Sequence, residues 1–186
     1  MVRLLAILAS IEKVITDLGV ATGWILLLPI ICFRFFDIVA KQFFDPPSGL
    51  VQLFEFDGFF IMVCLLFGFA YLRDAHARID VLRERFSRRA KAWMEIAGIL
   101  FALIPFCVLM IAFGTEYVAN TFDDHDRWWV PGLDLWVKKV FVPFGQGLLL
   151  LSGLIVLARN TIFLATGEGG PAPGGAEPRS RAGEVR

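Results

Sequence analysis

Twenty consecutive uncharged residues, Ile96 to Thr115, separate Glu95 from Glu116. As a helix such a run rises about 30 Å, the thickness of a bilayer's hydrocarbon core. Three further apolar runs accompany it. Leu18 to Phe33 is uncharged over 16 residues and predicts a span over about 18–39, with Arg34 and Asp37 near its far end. Gly58 to Leu72 is uncharged over 15 residues, short of the roughly 20 that a span needs. Glu55 and Asp57 therefore fall in the outer turns of a span over about 53–72. The third span covers about 96–115, and the fourth, closed by Arg159, about 140–158. The expectation is an all-α integral membrane protein with four transmembrane helices, residues 18–165 forming the membrane domain.

Composition agrees. Charged residues make up 19%, below the roughly 25% of soluble domains, and mean hydropathy is +0.67. The formal net charge is zero, so no bulk field attracts nucleic acid, and the position of each charge is more informative. The stretch Tyr71–Lys91 holds seven of the 18 Lys and Arg residues and only three acids, Asp74, Asp80 and Glu84. Loops rich in Lys and Arg beside membrane spans stay in the cytoplasm. With four spans, both termini share that side. Thirteen basic residues then lie inside and five outside.

The flanks follow. Leu4, Leu8, Ile11, Ile15 and Leu18 share one helical face, opposite Arg3, Ser10, Lys13 and Asp17. Residues 1–17 thus read as a short amphipathic helix on the membrane surface. Lys41–Gln52, with Pro46, Pro47 and Gly49, reads as a loop. Leu133, Trp136 and Val137 share a face, as in a short interfacial helix. Residues 166–186 are rich in Gly, Pro, Ala and charge and read as a disordered tail. Gly19 and Gly23 form a GxxxG, while Gly145, Gly147, Ser152 and Gly153 leave room for a neighbouring helix. Pro29 and Pro105 lie within spans, where they can kink them.

Little here suggests catalysis. Cys32, Cys64 and Cys107 fall in separate spans and read as buried, inert side chains. No CxxC, phosphate loop, nucleophile elbow or HExxH occurs. His76 and His125 fall on opposite sides of the membrane, which rules out paired haem ligation. The DDHD run at 123–126 reads as an exposed acidic loop. No cofactor is expected. All four span centres lack a carboxylate that could couple protons to transport. Arg34 can pair with Glu55, tying spans one and two, or locally with Asp37. His76 and Asp80 are four apart, as are Asp74 and Arg78, so each pair shares a face if the helix continues. They form either an ordinary solvated helix end or a polar corner docking a protein or lipid phosphates.

The end of span two, Gly68-Phe-Ala-Tyr-Leu-Arg73-Asp-Ala-His76-Ala-Arg78-Ile-Asp80-Val, resembles the His-x-Arg-(Val/Ile)-Asp run of the DctQ-like family. These are the small membrane subunits of tripartite ATP-independent periplasmic (TRAP) transporters. An acidic residue opening span two, here Glu55, and the passage through Pro143 and Gly145 into span four are also similar. The resemblance implies a bacterial inner-membrane helper rather than a carrier. In the family a separate large subunit moves substrate, usually a carboxylate, with sodium. A periplasmic binding protein delivers the substrate, and the small subunit braces the large one. Contacts to that subunit or to membrane lipids would then involve Arg34, Glu55, Arg73, His76, Arg78 and Asp80. The competing class is a membrane-embedded structural or sensory protein outside transport.

Overall fold

The computed structural model describes residues 2–43, 48–73, 87–128 and 133–166. Their regular elements are helices: α1 (Val2–Thr22), α2 (Leu28–Phe43), α3 (Ser48–Leu72), α4 (Arg88–Gly98), α5 (Ile104–Asp123), α6 (Leu135–Lys139) and α7 (Phe141–Thr166). Single π turns, Gly23–Leu27 and Ile99–Leu103, join α1 to α2 and α4 to α5. Four stretches are long and apolar enough to cross a membrane: Ile7–Phe43, Gln52–Leu72, Arg88–Asp123 and Leu135–Thr166.

The two π turns share a cause. Each is centred four residues before a proline, at Ile25 for Pro29 and Phe101 for Pro105. Proline lacks an N–H, and its ring crowds the carbonyl four residues back. Widening the turn there relieves the crowding without ending the helix. In α5 the Ile104 N–H accordingly bonds five residues back, to the Ile99 carbonyl.

No helix ends near Asp17. The chain stays helical from Val2 to Thr22, so the expected boundary between residues 17 and 18 is not a break. Gly19 lies within this helix, and the Phe69 ring packs against it. A Cβ at Gly19 would meet that ring at 2.4 Å. The expected loop at 41–52 also shrinks, since α2 runs to Phe43 and α3 starts at Ser48.

The parallel pair α3 and α7 forms the spine. A Cβ on Gly145 would lie 2.2 Å from the Cys64 carbonyl oxygen, and one on Gly68 would lie 2.9 Å from that of Leu148. These helices therefore touch backbone to backbone, which only small residues permit. On the other side of α7, the buried residues of α5 are Cys107, Gly114 and Thr121, spaced by seven. Cys107 Sγ lies 3.9 Å from Gln146 Oε1. Gly114 leaves room for Pro143, and the Thr121 hydroxyl accepts from Lys139 Nζ at 2.7 Å. The first span packs on α3 from the far side, Gly58 receiving Ile30.

Span lengths differ. Gln52–Leu72 has 21 residues, about 32 Å, close to the hydrocarbon thickness. Ile7–Phe43 has 37 residues, about 56 Å, and Arg88–Asp123 has 36, about 54 Å. Leu72 closes α3 inside an apolar cluster with Ile15, Ile99, Ile155 and Val156. Past that level α1, α4 and α7 continue without α3. There Arg159 Nη2 donates to Glu12 Oε2, tying α7 to α1.

Candidate functional site

The polar side chains concentrate at the end of the bundle where α2 stops and α3 begins. Arg34 Nη1 donates to Glu55 Oε2 at 2.9 Å, joining α2 to α3. Of the two partners open to Arg34 in the sequence, the structure takes Glu55. Asp37 instead pairs with Lys41 at 2.5 Å, one turn on. Both acids are more buried than their cations: side-chain exposure is 13% for Glu55 against 55% for Arg34, and 2% for Asp37 against 49% for Lys41. Glu55 Oε1 and Asp37 Oδ1 are buried without a hydrogen-bond partner. Holding a charge there depends on its one cation.

A second cluster is built on α3 two residues further on, on a different face of the helix. Asp57 is buried and accepts from Trp128 Nε1 at 2.6 Å and from Lys138 Nζ at 2.5 Å. Sequence reasoning noticed Asp57 but gave it no partner, because Trp128 and Lys138 lie 71 and 81 residues away. Local geometry brings them in. His125 takes φ 51°, a left-handed conformation of the kind that ends helices, and turns the chain after α5. Backbone bonds then fold it back, Trp128 N–H to Leu133 O at 3.1 Å and Leu135 N–H to Asp126 O at 2.8 Å. The short α6 follows. Lys139 reaches Thr121 and lies 3.8 Å from the centre of the Tyr117 ring.

At the opposite end, Arg73 forms a turn after α3. Its N–H donates to Phe69 O at 3.0 Å, and its guanidinium carbon lies 5.8 Å from the Phe69 ring centre, within cation–π range. His76, Arg78 and Asp80 lie outside the described residues. So do residues 167–186 of the expected tail. Ser87 caps α4 by accepting from the Ala90 N–H at 3.3 Å.

Elsewhere the surface is apolar. Cys32 is exposed rather than buried, because α2 presents most of its circumference outward, including Trp24 just before it and Phe35 and Phe36 within it. A groove of about 680 Å³ follows one face of α4 and α5 past Lys91, Met94, Gly98, Ala102 and Phe106. Among the described residues, no group of three or more His, Cys, Asp and Glu side chains could hold a metal ion. Among the described residues, the arrangement offers ion-paired ties and wide apolar faces.

Comparison with curated proteins finds no match. The family model for tripartite ATP-independent periplasmic transporters, DctQ component, matches residues 30–162, more than half of the chain. The match takes in α3, α5 and most of α7, together with Arg34, Glu55, Asp57, Trp128 and Lys138. With its four membrane-spanning helices, the chain belongs to the DctQ family, the small membrane component of TRAP transporters.

Proposed function

We propose that this chain is the accessory scaffold subunit of a sodium-coupled TRAP system for uptake of an organic acid. It braces a separate large permease subunit, and a periplasmic binding protein supplies the solute. The observation that carries this reading is how the apolar surface is distributed. In the most apolar window of the first span only 6% is buried, against 33% in the fourth. The first span is thus held mainly by one neighbour, α3, and offers most of its surface to lipid or to a partner. Four ion pairs, Arg34–Glu55, Lys41–Asp37, Lys138–Asp57 and Arg159–Glu12, tie up charges of the described spans.

In this reading the end bearing Arg73 faces the cytoplasm with both termini, and the end bearing Asp57 faces the periplasm. The lysine and arginine bias of the sequence supports that orientation. Residues 1–17 and 166–186 then flank the membrane domain on the cytoplasmic side. Arg34, Glu55, Arg73, His76, Arg78 and Asp80 serve assembly with the large subunit or with lipid. Expression of the chain alone and with its large subunit tests the proposal. The complex with binding protein should transport, and the lone chain should not. Solute uptake by the lone chain would overturn it.

A further inference from the structure

We infer that the groove along α4 and α5 is a binding site for one anionic phospholipid, with Lys91 holding the phosphate and an acyl chain lying beyond it. The site requires only that the chain spans a membrane, so it stands or falls apart from the scaffold function. Its lining follows one helical face. Lys91, Met94, Gly98, Ala102 and Phe106 recur at intervals of three or four residues. Tyr71 of α3 lines it as well. Met94 and Phe106 are exposed. A Cβ at Gly98 would meet nothing within 4 Å, so no other described part of the chain fills the groove at that point.

Charge decides what fits. Arg88, Arg89 and Lys91 bring three cations to the first turn of α4. Against them stands one acid of that helix, Glu95, which lines the groove and is itself engaged within the chain. Among the described residues Lys91 makes no ion pair. Trp93 is 62% exposed, and exposed tryptophans beside a span sit at headgroup level. Lys91 therefore lies where lipid phosphates lie, and its ammonium can donate to a phosphate oxygen. Beyond it the lining is mostly apolar. Phe106 is about 22 Å along the helix from Lys91, which accommodates a headgroup and a chain crossing half of a roughly 30 Å core. A zwitterionic headgroup would bring another cation to a mouth that is already positive. A lipid supplies phosphate and chain in one molecule, whereas a partner helix would have to place an acid at Lys91.

The test titrates the full-length chain in detergent with phosphatidylglycerol or phosphatidylcholine of equal chain length, and counts bound lipid by native mass spectrometry. One phosphatidylglycerol should bind about tenfold more tightly than phosphatidylcholine. Lys91→Gln should weaken phosphatidylglycerol about fivefold and leave phosphatidylcholine nearly unchanged. Gly98→Leu places a side chain in the groove where the Cβ has open space. It should weaken both lipids about tenfold, with no fall in melting temperature. Lys91→Gln, at a half-buried position, keeps the test decisive if Gly98→Leu fails to fold. Equal binding of the two lipids by the wild type, or wild-type binding by either folded variant, overturns the site. So does a Gly98→Leu chain that holds lipid normally but loses a co-purifying membrane protein, which would assign the groove to a partner helix. Solute uptake by the lone chain would overturn the scaffold function and leave this site standing.

Discussion

Arg34 and Glu55 face each other across α2 and α3 at 2.9 Å, with the acid much the more buried partner. That asymmetry predicts unequal effects. Arg34→Ala strands the Glu55 charge, whose Oε1 already lacks a partner, and should cost about 2–3 kcal/mol. Glu55→Gln strands a cation that can turn to the headgroups, and should cost under about 1 kcal/mol. Thermal unfolding of the purified variants checks the order. The double variant should fall close to Glu55→Gln alone.

Asp37 and Lys41 repeat the pattern within one helix. Asp37→Asn removes a buried charge and should shift stability by no more than about 1 kcal/mol. Lys41→Ala leaves that charge alone and should cost about 2 kcal/mol or more. Equal losses for the two variants would contradict the burial difference between them.

The glycines of α7 separate by position. Gly145→Ala places a methyl group 2.2 Å from a backbone oxygen of α3, which cannot swing aside, and should destabilise by about 1–3 kcal/mol. Gly147 has open space at its Cβ. Gly147→Ala should therefore be neutral or raise stability by up to about 1 kcal/mol through helix propensity. Melting temperatures of the two variants, measured in one detergent, provide the comparison.

Pro105→Ala restores the missing N–H and removes the ring that favours the wide turn at Ile99–Leu103. The helix should regain ordinary four-residue bonding there and rotate α4 relative to α5. Spin labels at Met94 and Tyr117, both exposed, should report a changed separation. An unchanged separation would show that packing on α7, and not the proline, holds the turn open.

The four spans were legible because long uncharged runs admit few alternatives, and Gly145 and Gly153 announced close packing. The helix lengths were less legible. Lys13 and Asp17 read as the polar face of a separate surface helix and Lys91 as part of the basic stretch, yet helical bonding runs through all three into the apolar spans. Pro29 and Pro105 were visible as interruptions, but the widened turn four residues upstream depends on backbone rerouting that hydropathy does not encode. Arg34 had two candidate partners, Asp37 one turn on and Glu55 in the next span, and only the register of α2 on α3 chooses Glu55. Asp57 was visible as a charge, but its partners Trp128 and Lys138 arrive from beyond α5. The seven-residue spacing of Cys107, Gly114 and Thr121 was available in the sequence and would have marked the face of α5 that meets α7.

The backbone contact between Gly145 and Cys64 limits how this subunit can behave. Two helices whose main chains already touch can neither slide nor roll without separating, so the pair acts as a fixed ruler across the membrane. Any large motion within this chain must therefore leave that pair intact and fall to the helices around it.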